Sequence, residues 1–171
     1  MNEQLLKKVA FTLEELQDEL STCDVSSFNQ IPFKGSWTEG QLIEHLVLAN
    51  GDFVNALESP VSETERDPGE MVEKIKADFL NYNIKFSSPD FIYPKEEFYE
   101  KEEQSRVLEK IKTDVTAAIS RMDLSKTCLS IQVPVYGTLT RLEAVHLLLY
   151  HTQRHIHQLK NIKRELSQAV G

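Results

Sequence analysis

The sequence predicts an all-α protein, a four-helix bundle with a short helix and a loop inserted between the second and third long helices. Three observations support this class. Four segments repeat apolar residues with the spacing of a helix face. Only 6 Gly and 6 Pro occur in 171 residues, which argues against a turn-rich all-β fold. The length suits one core, so residues 1–171 are expected to form a single bundle domain.

The first helix is predicted over residues 3–21, before a loop at 22–36 that is rich in Ser, Asn, Pro and Gly. The second helix is predicted to begin near Trp37, with Ser36 as N-cap and Glu39 closing a capping box. The apolar face of each helix repeats every three to four residues. These positions are Leu5, Val9, Leu13, Leu16 and Leu20, then Leu42, His45, Leu46, Ala49, Phe53 and Ala56.

Residues 60–100 are the least regular part of the sequence. Pro68 is placed to start a short helix that carries Met71, Ile75 and Phe79, and the segment SSPDFIYPKEE is predicted to be an extended loop. A charged third helix is predicted over 101–122 and a strongly patterned fourth helix over 139–166. The β-branched residues of 124–138 indicate a long, locally extended connection between them.

Three of the five histidines are predicted to face the bundle interior. His151 and His155 are four residues apart on the apolar face of the last helix, and His45 lies on that of the second. A divalent cation would satisfy all three imidazoles and leave a coordination position open, as in catalytic sites. The alternative is that each is an ordinary hydrogen-bonded core histidine. A register with His157 as ligand is disfavoured, because it points to another face, as does His146.

The segments GSWTEGQLIEHL and YHTQRHIHQ, together with VPVYGTLT, resemble the DinB-like (YfiT-like) family of four-helix-bundle proteins. The resemblance covers about residues 3–166. It implies a divalent metal, commonly zinc or nickel, held by three histidines that match His45, His151 and His155. It also implies a homodimer.

Three other residues are candidates for the site. Asp52 lies seven residues after His45 and is a candidate base or metal neighbour, the alternative being a solvated charge near the helix end. Gln158, seven residues after His151, is placed to orient a ligand or substrate. Tyr136, in the loop before the last helix, is a candidate for the lining of the entrance.

The expected function is that of a metal-dependent enzyme acting on a small-molecule substrate. A three-histidine metal with an open position can activate a thiol or water. The resemblance places transfer of a low-molecular-weight thiol of the bacillithiol type slightly ahead of hydrolysis. The alternative class is a non-catalytic metal-binding or stress-associated interaction protein, since the fold alone does not establish catalysis.

Composition excludes several other classes. The net charge is −8 and no Lys/Arg block occurs, so no nucleic-acid partner is expected. Cys23 and Cys128, the two cysteines, form no CxxC pair, which favours a reducing, cytoplasmic location over a disulfide framework. No stretch approaches the ~20 apolar residues that span a bilayer, so no membrane partner is expected.

Overall fold

A computed structural model describes residues 2–169. Five α-helices, three strands and one short 3₁₀ helix follow one another along this part of the chain. In chain order they are α1 (Asn2–Ser21), α2 (Glu39–Glu58), β1 (Val61–Ser62), α3 (Val72–Phe79), the 3₁₀ helix (Asp90–Ile92), α4 (Lys101–Arg121), β2 (Thr127–Val133), β3 (Gly137–Thr140) and α5 (Arg141–Ala169).

The four long helices form the predicted four-helix bundle. Helices α1 and α2 each pack against both α4 and α5, so α1 and α2 occupy opposite corners although they are consecutive in sequence. Their apolar faces meet in one core, because a helix with a single apolar stripe must bury it against neighbours. Fully buried members from each helix include Val9, Leu20, Leu42, Leu46, Val115, Ile119, Leu149 and Leu159.

Helix α2 begins two residues later than the predicted capping box. Thr38, not Ser36, is the N-cap: its hydroxyl accepts from the Gln41 N–H at 3.0 Å, and the Gln41 side chain accepts from the Thr38 N–H. The later start brings Gly40 against Tyr99, where an added Cβ would lie 3.0 Å from the Tyr99 Cβ. The sequence contains two capping-box patterns, Ser36 with Glu39 and Thr38 with Gln41. The close packing of Gly40 agrees with the second.

The connection predicted as locally extended is a β-hairpin. Strands β2 and β3 pair antiparallel, and β1, just after α2, pairs with the other edge of β2. Val135 and Gly137, both with positive φ, form the reversal between β2 and β3. This small sheet leads directly into α5, the helix that carries His151 and His155.

The insertion between α2 and α4 contains the predicted short helix, which starts at Val72, four residues after Pro68. Helix α3 packs on α5. Residues 80–93, here called the strap, then cross from α3 to the side of α2, and none of their side chains is fully buried. Among residues 2–169, none of the helices combines the length and the hydrophobicity of a transmembrane span.

The start of α5 is fixed by the buried carboxylate of Glu143. Arg66 donates to both of its oxygens at 2.6 Å, and the backbone N–H groups of Met71 and Thr140 donate at 2.9 Å. The Thr140 hydroxyl in turn accepts from the Glu143 N–H, which completes a capping box. Burial alone would raise the pKa of Glu143, but these donors hold it below its ordinary value.

We expect Glu143→Gln to destabilise the protein by about 2 kcal/mol, because a neutral amide replaces a buried, charge-assisted acceptor. A carboxylate with a lowered native pKa contributes stability above its unfolded pKa, near 4.5, and loses it as the pH falls further. The variant should therefore lose less stability than wild type between pH 5 and 3. Urea unfolding across this range measures both effects, and parallel pH profiles would contradict the assignment.

Candidate metal centre

Three imidazole nitrogens converge inside the bundle. The Nε2 atom of His45 lies 3.1 Å from that of His151 and 3.2 Å from that of His155, and the latter two are 3.1 Å apart. All three side chains are buried. Helix α5 supplies two of them one turn apart, and α2 faces them with the third. The structure thus brings together the trio that the sequence predicts.

The hydrogen-bond partners of the Nδ1 atoms indicate which ring nitrogens of His45 and His155 carry the proton. The backbone carbonyl of Ile92 can only accept, so the His45 Nδ1–H, 2.9 Å away, must donate to it. The Nδ1–H of His155 donates to the side-chain oxygen of Gln158 at 3.0 Å. In neutral rings, both Nε2 atoms then carry lone pairs, which face each other at 3.2 Å. A cation between them removes this repulsion.

The spacing fits a first-row divalent metal. The centre of a triangle with 3.1 Å sides lies about 1.8 Å from each corner, slightly less than the ~2.0–2.1 Å of a zinc–imidazole bond. His45, His151 and His155 would hold such a cation through their Nε2 atoms. Three protein ligands are the number that catalytic zinc sites use, whereas structural sites use four.

The environment keeps the imidazoles neutral, as metal ligation requires. Burial lowers the pKa of His45 and lowers that of His151 much further. Burial, followed by the charge of His45, lowers the pKa of His155 to about 3. Each ring would also repel a proton on its neighbours. The cluster is therefore a neutral nitrogen donor set at physiological pH.

Gln158 lies where a ligand-orienting residue is needed. Its contact with Nδ1 fixes the tautomer of His155 that presents a free Nε2. His151 differs, because its Nδ1 is buried without a hydrogen-bond partner within residues 2–169. Its orientation comes instead from packing, with the Phe79 ring in a T-shaped arrangement and the two ring centres 5.9 Å apart.

We expect Gln158→Ala to weaken metal binding about 10- to 100-fold, the usual range for loss of a partner that orients a metal ligand. Gln158→Glu retains an acceptor and should bind close to wild type. Isothermal titration with Zn²⁺ measures both. Equal affinities for the Ala variant and wild type would show that Gln158 does not hold His155.

Asp52 is not brought to the cluster. The interior face of α2 is centred between Leu42, Leu46 and Ala49, and His45 lies at its edge. The strap covers that edge at His45, but two turns later Asp52 is exposed. The heptad spacing therefore places Asp52 on the same side of the helix without placing it beside the imidazoles.

Tyr136 belongs to a second apolar cluster formed by α3, α5 and the hairpin. Its hydroxyl donates to Asp78 at 2.8 Å, and burial and this carboxylate raise its pKa. Phe79 lies between it and the site, 6.4 Å from Tyr136 and 5.9 Å from His151 by ring centres. Tyr136 thus supports the wall behind the site and does not contact the imidazoles.

The other two histidines lie outside the cluster. His157 stacks on Tyr82 of the strap at 4.0 Å, and His146 lies beside Tyr150 at 5.6 Å between ring centres. The register with His151 and His155 is the one that the structure adopts. Trp37 adds a wall, with its ring 5.1 Å from that of His45.

The strap supplies partners that sequence reasoning missed. The Ile92 carbonyl and the Ser88 hydroxyl, 3.2 Å from His45 Nδ1, both come from the segment read as a loop. A backbone carbonyl leaves no trace in the sequence, since any residue provides one.

The fold and this site define a four-helix-bundle protein with a three-histidine metal-binding cluster. The chain belongs to the DinB superfamily, whose sequence model matches residues 9–159.

Similar proteins agree with this assignment. The chain is 24% identical over 160 residues to the uncharacterized protein YuaE of Bacillus subtilis (strain 168), covering 91% of this chain and 94% of YuaE. Two solved structures share the fold, each with a TM-score of 0.61. TT2238, a four-helix bundle protein, is 16% identical and covers 94% of this chain and 99% of its own. YfiT from Bacillus subtilis, described as a probable metal-dependent hydrolase with an unusual four-helix bundle topology, is 13% identical, with coverages of 97% and 87%.

Proposed function

We propose that this protein is a metal-dependent enzyme in which His45, His151 and His155 hold a divalent cation, zinc or nickel, that activates a small nucleophile. The observation that carries the proposal is the convergence of three buried Nε2 atoms, two of which, 3.2 Å apart, are left unprotonated by the Nδ1 partners of their rings. A proton on the Nε2 atom of His151, 3.1 Å from each, can be donated fully to only one of these two nitrogens, whereas a cation is shared by all three. Three ligands also leave coordination room for a reactant.

The chain's own groups prepare the site. When bound, such a cation supplies Lewis acidity that brings the pKa of a bound water or thiol towards neutrality. Ile92 and Gln158 fix the tautomers of His45 and His155. The Nε2 atoms of both rings can therefore bind a cation without first releasing a proton. Trp37 and Phe79 pack against the imidazoles and limit water around them.

Hydrolysis of a small molecule is the reaction we place first. It is supported by the shared fold with YfiT, described as a probable metal-dependent hydrolase. Thiol transfer differs only in the nucleophile. Cys23 and Cys128 are both buried, and burial raises the pKa of each thiol, so a nucleophilic thiol must come from a small molecule.

Metal analysis of untagged protein followed by two parallel assays tests the proposal. One assay offers activated esters and amides in the absence of thiols. The other offers an electrophile with a low-molecular-weight thiol. We expect turnover in the first that is lost on chelation and restored by Zn²⁺ or Ni²⁺. Turnover only in the second would assign thiol transfer, and metal binding without turnover in broad screens would favour the non-catalytic class.

A further inference from the structure

The guanidinium of Arg154 is directed at the strap. Arg154 lies on α5 between His151 and His155 in sequence, and it donates to the backbone carbonyls of Phe79 and Asn81, both at 3.1 Å, and to that of Ile84. These carbonyls belong to the end of α3 and the beginning of the strap. A charged donor therefore fastens this segment to the helix that bears two of the imidazoles.

Aromatic stacking reinforces the same attachment. The guanidinium lies over the Phe86 ring at 4.9 Å, and Phe86 stacks on Phe79 at 4.9 Å between centroids. Phe79 then meets His151 edge-on. A continuous series of contacts runs from Arg154 through two rings to a metal-facing imidazole.

The far end of the strap reaches the remaining imidazole. Ile92 accepts from His45 Nδ1, Ser88 lies 3.2 Å from the same atom, and Tyr93 meets Trp37 edge-on at 5.4 Å. The backbone N–H groups of the strap that bond to backbone carbonyls donate to those three or four residues earlier in the chain, so these hydrogen bonds form local turns. With no fully buried side chain of its own, the strap depends for its position on the contacts at its two ends and on the stacking of Tyr82 on His157.

We infer that Arg154 is a positioning residue for the metal centre, holding the strap so that Ile92 and Ser88 orient His45. This inference rests on the proposed metal site. Arginine suits the task because its fork serves several carbonyls at once, whereas a lysine ammonium concentrates its charge at one point.

The test compares Arg154→Ala and Arg154→Lys with Lys163→Ala. Lys163 is a matched control on the same helix, since it contacts Glu19 and Thr22 of the α1 end. Protein loaded with Ni²⁺ alone is mixed with excess EDTA, and metal release is followed by the fluorescence of Trp37, the single tryptophan. Hydrogen exchange of amides 80–93 is measured on the metal-free proteins, with circular dichroism as the folding check.

We expect Arg154→Ala to release metal at least 10-fold faster than wild type, as loss of a ligand's orienting partners does, and to exchange its strap amides faster. Arg154→Lys should fall between the two, and Lys163→Ala should release metal at the wild-type rate. Unchanged release from a folded Arg154 variant overturns the inference, even if the strap exchanges faster. If the alanine variant fails to fold, the lysine variant decides. A wild type that binds no Ni²⁺ or Zn²⁺ would instead refute the proposed function.

Discussion

The His155→Ala variant should lose metal binding and activity while the bundle stays folded. Removing a partner of a metal ligand costs about 10- to 100-fold in affinity, so removing the ligand itself should cost more than 100-fold. The fold should tolerate the change, because the cavity it leaves is offset by the removal of a buried polar ring from a crowded cluster. We expect the free energy of unfolding of the metal-free protein to change by less than about 2 kcal/mol.

Trp37 gives a direct measurement, because its ring lies 5.1 Å from that of His45 and Ni²⁺ quenches indole emission nearby. Quenching should saturate in wild type and be absent in His155→Ala. His146→Ala is the matched control, since His146 lies on the same helix outside the cluster and near Tyr150. Retained high-affinity quenching in His155→Ala, or its loss in the control, would place the metal elsewhere.

The helices and the three imidazoles were predictable because both follow from one periodicity. A residue spaced to lie on the apolar face of a long helix is directed into the core, whatever its chemistry. His151 and His155 follow this rule together with Leu148 and Ile162, which are buried on the same helix. Four long helices that each have one apolar face must bury those faces together, and in a chain of this length a bundle is the simplest arrangement that does so.

The features that sequence reasoning missed lie where periodicity carries no information. The capping box of α2 was predicted at Ser36 but forms at Thr38, and the tertiary packing of Gly40 agrees with this later start. The strap has no repeating pattern of apolar residues from which its position could be predicted. Its contacts with His45 depend on a backbone carbonyl and on the hydrogen bonds of Arg154. Asp52 shows the limit of the rule, since the edge of a helix face is buried only where another segment covers it.

Metal binding should raise the melting temperature of wild type by roughly 10 °C. A ligand at 1,000 times its dissociation constant stabilises the native state by about 4 kcal/mol. For a chain of 171 residues, each kcal/mol corresponds to about 2–4 °C. Differential scanning calorimetry with and without Zn²⁺ measures the shift, which EDTA should reverse.

His151→Leu should separate the requirements of stability from those of metal binding. His151 is buried, its Nδ1 has no hydrogen-bond partner in residues 2–169, and its Nε2 faces two other imidazole nitrogens. An unsatisfied buried polar group costs about 1–3 kcal/mol, and leucine fills similar volume without that cost. We therefore expect the metal-free variant to be as stable as metal-free wild type or more stable, by about 1–2 kcal/mol.

The same variant should show no melting shift with Zn²⁺, because only two imidazoles remain. His151→Ala serves as the comparison, since it also removes the ligand but leaves a cavity and should be less stable than His151→Leu. If metal-free His151→Leu were instead markedly less stable than metal-free wild type, the imidazole would stabilise the fold by packing or hydrogen bonding even without a metal. A cluster that is costly without metal and stabilising with it is the thermodynamic signature expected of a binding site.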